Sequence, residues 1–396
     1  MPLTAKVGTS LSRPGNIQLG KGSLRRTVRA AVSGTTPQYR VQVFSFDATF
    51  GIGSLLVEFE NVKNIGWAIY LNDVPEAYFT INQDDPKIAR LVGLVGKCHL
   101  RIYRGDDLVW TGLLMDADES SRDVVFYAYG YVAALYWLVS DWNQVFTNQT
   151  VGSIASTLWT RAKSVITYSN LAFVATGTIQ NPATTSGGTT DIVLPNYQLY
   201  RKRILFALQE LAALSISDTS NSVVFEITHS LTPTFNLWKN RGVVAPVRWQ
   251  YGGVIADYHH PVSQVWRRND VYILGADPHV TLLRLEVESV PDEQAWGRRQ
   301  EPIFLTWVRD QTEMTRTGNL RLKQALRPDV QLSVDLVPNG VIPPGATGAL
   351  FKLSDSIPIY INRGLTQVNA NYRVVGVRVS RADGPEQMTA MLQVAP

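Results

Sequence analysis

Three short acidic clusters are the first candidates for chemistry in this sequence, because paired carboxylates can act as general acid and general base. The clusters are Asp84 and Asp85, Asp106 and Asp107, and Asp116, Asp118 and Glu119. Each is predicted to lie in a turn between strands, where acidic residues shape and solvate the loop. We expect no catalytic residue among them, although carboxylates far apart in sequence can converge as a glycosidase pair.

The third acidic cluster also begins like a calcium-binding loop. Ser121 occupies the position of the required glycine, and Tyr127 occupies that of the closing glutamate. Asp257, His259 and His260 form another group of potential ligands, but adjacent histidines on a strand point to opposite faces. The sequence therefore predicts neither a metal ion nor any other cofactor.

The other motifs that are typical of enzymes are incomplete or absent in this sequence. Cys98 is the single cysteine, which excludes an intrachain disulfide, and its neighbour His99 points to the opposite face of the predicted strand. Gly15 to Lys21 has phosphate-loop spacing, but Gly22 stands where a Ser or Thr would hold magnesium. Nucleophile-elbow, zinc-protease and dinucleotide fingerprints are absent. We predict that the protein is not an enzyme.

The composition is that of a globular chain. Of 396 residues, 45% are hydrophobic and 18% are charged, and the length suggests about two to four domains. The first residues lack the apolar core of a signal peptide, and no apolar run is long enough to span a membrane. We expect the protein to be made and kept in a cytoplasm, or exported within a larger assembly.

The positive charge is concentrated in the first forty residues, which contain no acid. Outside these forty residues, the chain has fewer basic than acidic side chains. Residues 1–39, rich in Gly, Ser, Thr and Pro, are therefore predicted to be an arm that docks on a neighbouring surface. Within it, Arg25, Arg26 and Arg29 are predicted to face carboxylates of a partner. The basic residues are Lys6, Arg13, Lys21, Arg25, Arg26, Arg29 and Arg40.

Behind the arm, the hydrophobic pattern predicts three further parts. Alternation through residues 40–140 predicts a first antiparallel β-barrel domain. Helical spacing in Asn148 to Lys163 and Leu199 to Ser215 predicts an α+β domain over residues 141–244, with 201–203 in the first turn of the second helix. Renewed alternation predicts a second β-barrel domain over 245–396 with a helix-containing insertion. The fold class is α+β, mostly antiparallel β.

Finer expectations within the second barrel concern three segments. Residues 291–301 are predicted to be a loop, residues 309–326 a helix, and residues 349–353 a strand. For the last part of the chain, the sequence thus predicts a helix, a strand, a Pro-Gly turn, a strand and a long C-terminal hairpin, in this order.

The stretch from Glu76 to Leu138 resembles the first barrel of the tail-hub (baseplate hub) proteins of tailed bacteriophages and phage-like particles. The resemblance rests on Asn82–Pro86, Arg90–Leu94, Arg101–Asp106 with Val109–Gly112, and Phe126–Tyr131. The order of elements near the C-terminus is similar to the second barrel of that family, although Pro344 to Gly348 lacks the acid that often ends the turn. The resemblance implies a structural protein of the virion tail, assembled in the host cytoplasm.

In detail, the resemblance implies a homotrimeric hub at the distal end of the tail. Two barrels in each of three chains would present a quasi-sixfold ring to a sixfold tube and pass threefold symmetry to a spike or fibre. The implied partners are the distal tail protein or tail tube and the tape-measure protein, with the genome passing transiently through the lumen.

Two other functions remain open from the sequence. Ten tryptophans and sixteen tyrosines are typical of barrel cores and subunit interfaces, but aromatic residues also stack on sugars. A carbohydrate-binding or polysaccharide-degrading tail-tip protein is therefore the main alternative. A nucleic-acid-binding protein that uses the basic arm is the other, and it predicts steeply salt-dependent binding to DNA.

Overall fold

The computed structural model gives an α+β fold of mostly antiparallel strands, as the sequence predicts. Helices are few and short, and the strands form five separate sheets among the described residues. The structure describes residues 17–20, 23–26, 37–60, 62–140, 144–166, 169–180, 193–199, 201–215, 223–239, 241–260, 267–275, 284–305, 311, 314–315, 318–319, 321–322, 332–382 and 384–394.

The N-terminal arm contains a hairpin of β1 (Ile17–Gly20) and β2 (Ser23–Arg26). These strands pair with each other and, within the described part of the chain, with no other strand. Arg25 and Arg26 lie in β2, whereas Arg29 lies outside the described residues. Because a strand follows Lys21 closely, this segment does not lead into a helix as a phosphate loop does.

Seven strands, here called the first strand set, follow the arm. Their order in the sheet is β5-β6-β9-β8-β7-β3-β4, and every pairing is antiparallel. A 3-10 helix, Pro86–Leu91, covers the free edge of β4, where Lys87 and Arg90 donate to backbone carbonyls. The strands are β3 (Tyr39–Phe46), β4 (Ile52–Phe59), β5 (Asn64–Tyr70), β6 (Glu76–Asn82), β7 (Cys98–Arg104), β8 (Asp107–Glu119) and β9 (Asp123–Tyr129).

The next part of the chain, here called the α+β unit, has its own apolar core. Its strands pair as β10-β12 and as β11-β14-β13. Helix α2 starts where the Thr150 hydroxyl accepts from the Ser153 N–H, and it buries Ile154 and Leu158 as predicted. The elements are α1 (Ala133–Trp137), β10 (Gln144–Thr150), α2 (Val151–Thr160), β11 (Ala175–Ile179), β12 (Val193–Leu199), α3 (Ile204–Ser215), β13 (Val223–Ile227) and β14 (Thr234–Lys239).

The second strand set comprises β15, β21, β22, β23, β20 and β16 in sheet order, and an isolated bridge between Tyr251 and Ile255 brings its end strands together. Between β16 and β20, the chain forms a separate small sheet, β18-β17-β19, which packs on the helical residues Met314 and Leu322. The elements are β15 (Trp249–Gln250), β16 (Ile255–His259), β17 (Asp270–Gly275), β18 (Arg284–Glu288), α4 (Val290–Trp296), β19 (Gln300–Leu305), β20 (Leu332–Leu336), β21 (Ser356–Arg363), β22 (Thr366–Arg381) and β23 (Gln387–Val394).

The two strand sets are halves of one 13-stranded sheet. The long strand β22 makes this possible, because β21 pairs with its first half and β5 of the first set pairs with its end. At the crossover Gly376 lies against Tyr70, whose ring would be 2.8 Å from an added Cβ. Buried side chains of both sets accordingly form one continuous apolar core.

Four local predictions were wrong. The third acidic cluster does not lie in a turn, because β8 continues to Glu119 and the turn is confined to the next few residues. Helix α3 begins at Ile204, because Lys202 and Arg203 pair with the backbone of Ser140 and Val139 instead, so residues 201–203 precede the helix.

The other two errors lie in the last part of the chain. Residues 290–296 form α4, which Pro291 and two acids in its first turn favour and Gly297, with φ of 74°, ends. Residues 349–353 are not a strand: Phe351 packs edge-on against Trp249 instead.

Candidate interaction sites

A buried ion pair joins the two strand sets beside the β5–β22 pairing. The Arg104 guanidinium donates to both carboxylate oxygens of Glu386, at 2.8 and 3.2 Å. The Tyr39 hydroxyl donates to the same carboxylate at 2.5 Å, and burial together with that negative charge raises the pKa of Tyr39 far above its usual range. Because the Glu386 side chain is only 2% exposed, its charge depends on these two donors.

Two residues of the acidic clusters also have structural roles. The Asp107 carboxylate accepts from the backbone N–H of Thr347 at 2.7 Å and from its hydroxyl at 2.5 Å, which links the two strand sets a second time. Asp85 caps the 3-10 helix by accepting from the Lys87 N–H. Asp84 and Asp106 are exposed, as are Asp116, Asp118 and Glu119 on β8.

Neutral polar side chains hold the α+β unit against the first strand set. Asn72, in the turn between β5 and β6, donates to the Val223 carbonyl at 3.0 Å and accepts from the Phe225 N–H at 2.8 Å. Its own carbonyl accepts from the Gln209 side chain on α3. Asn72 has φ of 58°, a left-handed conformation that asparagine tolerates better than most residues.

Two buried histidines also contribute to the contact between the α+β unit and the first strand set. His99 on β7 lies 3.2 Å from the Tyr131 hydroxyl and 3.2 Å from the Phe50 carbonyl. Nδ1 of His229 accepts from the Thr111 N–H at 3.0 Å, while its ring stacks on Trp110. Burial lowers the pKa of His99 and of His229 to about 4, so both rings are neutral at pH 7.

The predicted ligand candidates do not come together. His259 is exposed on β16, and the His260 ring lies 3.4 Å from the Thr366 hydroxyl. Among the residues that the structure describes, no group of histidine, cysteine or acidic side chains is arranged to hold a metal ion. Cys98 is buried in the core of the strand sets, which raises the pKa of its thiol to about 11, whereas His99 faces the α+β unit.

The α+β unit carries an exposed apolar surface, here called the aromatic surface. It consists of Tyr136, Trp137 and Val139 around α1, together with Phe206 on α3. The rings of Tyr136 and Phe206 meet edge to face, and the Arg203 guanidinium lies 3.7 Å from the centre of the Tyr136 ring. Exposed aromatic residues with an arginine are typical of protein interfaces.

A second exposed feature is the tip of the β21–β22 hairpin. Leu365 at the tip is 98% exposed. Behind it, the Arg363 guanidinium lies over the Tyr251 ring, which in turn meets the Tyr258 ring edge to face. The Leu365 side chain is thus accessible to another molecule.

The tryptophans divide between the core and the surface. Trp137 and Trp296 are exposed, and the Arg267 guanidinium lies over the ring of the latter. The tryptophans buried as the largest core side chains are Trp67, Trp110, Trp159 and Trp249. These four serve packing, Trp159 in the core of the α+β unit and the other three in the core of the strand sets.

Sequence reasoning missed the residues that join the parts of the molecule. Glu386 stands 282 positions from Arg104, and His229 stands 118 positions from Thr111. No local pattern marks such pairs, because the partner comes near only in the fold. An isolated acid next to Pro385 or an asparagine in a turn is ordinary loop composition.

The fold is similar to those of solved phage tail proteins. The 43 kDa tail protein of prophage MuSo2 from Shewanella oneidensis is 13% identical, with a TM-score of 0.61 over 89% of this chain and 98% of that one. A tail protein from Neisseria meningitidis is 13% identical, with a TM-score of 0.59 over 90% and 96% of the two chains.

A prophage tail protein from Listeria monocytogenes is 10% identical, with a TM-score of 0.51 over 89% of this chain and 94% of that one. No protein-family model and no curated protein matches the chain. At these identities the likeness shows the fold alone. The fold of phage tail proteins, which the resemblance in sequence predicted, is thereby confirmed.

Across the described ranges, no helix combines the length and the apolar composition that a span requires.

Proposed function

We propose that this protein is a structural subunit of a phage-type tail. The observation that carries the proposal is the match of about nine-tenths of the chain to tail proteins from three bacterial genomes or prophages. The exposed aromatic surface and the Leu365 tip support it, because a subunit of an assembly needs surfaces that neighbours cover. The proposed location is the virion tail, assembled in the host cytoplasm.

Within the tail, we propose the role of a homotrimeric baseplate hub. Two strand sets in each of three chains make six sheet modules, so a trimer can face a sixfold tube and a threefold spike at once. The link between the two sets within each chain, by the β5–β22 pairing and the Arg104–Glu386 ion pair, would make each pair of modules one rigid part of such a ring.

The proposed partners follow from the proposed role as a baseplate hub. They are the distal tail protein or tail tube, the tape-measure protein and a spike or fibre protein, with the genome passing through the lumen. We also propose the division into an arm (1–39), a first β-barrel (40–140), an α+β domain (141–244) and a second β-barrel (245–396). The strand sets share one sheet, so the two barrels would move as one body.

The proposed role is non-enzymatic. Asp85 and Asp107 have structural partners, which supports a role in folding for these two acids. The alternative of a carbohydrate-binding or polysaccharide-degrading tail-tip protein is not favoured by a specific observation. Alanine variants at the exposed acids, assayed on peptidoglycan and polysaccharides, test it, and loss of turnover in a folded variant would favour that alternative.

The mass of the assembled protein tests the trimer. Light scattering or native mass spectrometry of the full chain should give three copies, and a monomer or hexamer would contradict the proposal. Trp137→Ala combined with Phe206→Ser should weaken the assembly without unfolding the chain. Leu231→Ser, at an exposed leucine away from the aromatic surface, is the matched control and should leave the mass unchanged.

A further inference from the structure

Strand β8 has an unpaired backbone edge at its far end. Its residues up to Leu114 pair with β7, and the Gly96 N–H donates to the Leu114 carbonyl at 2.9 Å. Beyond that point, Asp116 to Glu119 pair only with β9 on the other side. Among the described residues, no backbone group pairs with this outer side, here called the β8 edge.

The β8 edge is exposed and negatively charged. All four residues from Asp116 to Glu119 are exposed, and three of them are acidic. An open edge of this kind can accept a further strand through main-chain hydrogen bonds. The acidic side chains favour a basic strand, since a like-charged one would be repelled.

The arm supplies a strand with the opposite charge. The β1–β2 hairpin pairs with no strand of the described body, and a hairpin of only two strands is marginally stable in water. The segment around β2 contains Arg25, Arg26 and Arg29, and residues 1–36 contain no acid. Among the described residues, the hairpin thus has no third strand and the β8 edge has no neighbour.

We propose that β2 of one copy adds to the β8 edge of a neighbouring copy, with Arg25 and Arg26 facing Asp116, Asp118 and Glu119. This inference rests on the proposed self-assembly of the chain and names the surface that its arm occupies. The added strand completes both the hairpin and the edge, so the arm ties each subunit to the next.

Chain geometry favours a neighbouring copy over the same copy. The arm joins the body at the β7–β8 turn, where the Gly105 N–H donates to the Gln38 carbonyl. The β8 edge lies at the opposite end of β8, roughly 30 Å from that turn at about 3.3 Å per residue. The linker from Arg26 to Gln38 reaches at most about 43 Å when fully extended, but a flexible chain of this length spans only about 20 Å on average, so reaching the edge of the same copy would need a strongly extended linker.

Cross-linking between copies tests the proposal. One full-length chain carries Arg25→Cys and a second, differently tagged chain carries Asp118→Cys; the two are co-expressed and treated with a short bis-maleimide. Cys98 can stay, because its buried thiol, with a pKa of about 11, does not react. A cross-linked product carrying both tags is expected.

The matched control is Asp257→Cys in place of Asp118→Cys. Asp257 is an exposed acid on β16, at the other end of the same sheet. We expect the Asp118 product in at least tenfold excess over the Asp257 product. Equal yields, no product, or a cross-link that forms only within one chain in the Arg25→Cys/Asp118→Cys double variant would each overturn the proposal.

Charge exchange gives a second readout. Asp116→Lys with Asp118→Lys should abolish the cross-link between Arg25→Cys and Glu119→Cys chains, and Arg26→Glu on the arm should restore part of it. Failure of the acid reversals to lower the yield would contradict the charge complementarity. The mass of the same samples separates the two hypotheses: a trimer without cross-link overturns the arm contact alone, whereas a monomer overturns both.

Discussion

The first strand set makes two contacts of opposite chemical character. Its contact with the second strand set is continuous sheet closed by charged groups, Arg104 with Glu386 and Arg378 with Glu76. Its contact with the α+β unit uses neutral groups, the buried rings of His99 and His229 and the amide of Asn72. The first contact suits a permanently rigid body, because shared strands cannot separate without breaking the sheet.

Because one contact uses charged groups and the other neutral groups, the two contacts should respond to different perturbations. A buried ion pair fails when one partner is removed, since the other charge is left without compensation. A buried neutral histidine fails when it gains a proton, which occurs under mild acid. Substitution should therefore separate the contacts at neutral pH, and acid should act on the α+β contact.

The largest effect of a single substitution at neutral pH is expected for Glu386→Ala. Removal of the carboxylate leaves Arg104 unpaired in a site where that side chain is 18% exposed, which should cost about 3 kcal/mol in the free energy of unfolding. Urea denaturation measures it. Glu76→Ala is the control, because it breaks an exposed ion pair between the same strand sets and should cost about 0.5 kcal/mol or less. Equal losses would show that burial does not distinguish the pairs.

Acidification should destabilise the protein through its buried histidines. Both histidines have a folded-state pKa of about 4, below their ordinary value of 6.5, so the unfolded chain binds more protons between these values. Stability is therefore complete above pH 6.5 and falls as the pH drops towards 4, by on the order of 3 kcal/mol for each histidine.

Unfolding measured at several pH values checks this dependence. His229→Gln should lower stability at pH 7 and flatten the slope between pH 6.5 and 4. His259→Gln, at an exposed site on β16, should leave the slope as it is. A slope that survives in the His229 variant would remove this histidine from the explanation.

Asn72→Ala should cost about 2 kcal/mol, because two buried backbone groups of β13 lose their partners. Asn72→Gly loses the same bonds but tolerates φ of 58°, so it should be the less damaging of the two. Hydrogen exchange should show faster opening of β13 in both variants and unchanged protection of β22. Equal loss in β22 would mean that the two contacts are not separable.

The smallest effect is expected for Asp107→Asn, at about 1 kcal/mol, because the two hydrogen bonds from Thr347 then lose a charged acceptor. Those bonds lower the pKa of Asp107, so this contribution is complete above the ordinary carboxyl value of 3.8 and is lost as the pH falls through the folded-state pKa. The neighbouring Asp106→Asn is the control in thermal unfolding and should have no measurable effect.

The class of structure and much of its local detail could be predicted from the amino-acid sequence. Alternation predicted strands such as β7, β9, β20 and β23, and helical spacing predicted α2, because each signal depends only on residues a few positions apart. The resemblance in Glu76 to Leu138 also pointed to the tail-protein fold. The proposed docking by Arg25, Arg26 and Arg29 stays a prediction.

Which strands share an edge and which charged groups pair depends on the folded structure and could not be predicted from the sequence. Residues 116–119 have turn-like composition, yet pairing with β9 makes them strand, since a backbone partner outweighs weak local preference. The start of α3 was set by the bridge between Arg203 and Val139, which lies directly before the helix. The joining of β5 to β22, and of Arg104 to Glu386, depends on segments about 300 residues apart, a distance at which composition and periodicity carry no signal.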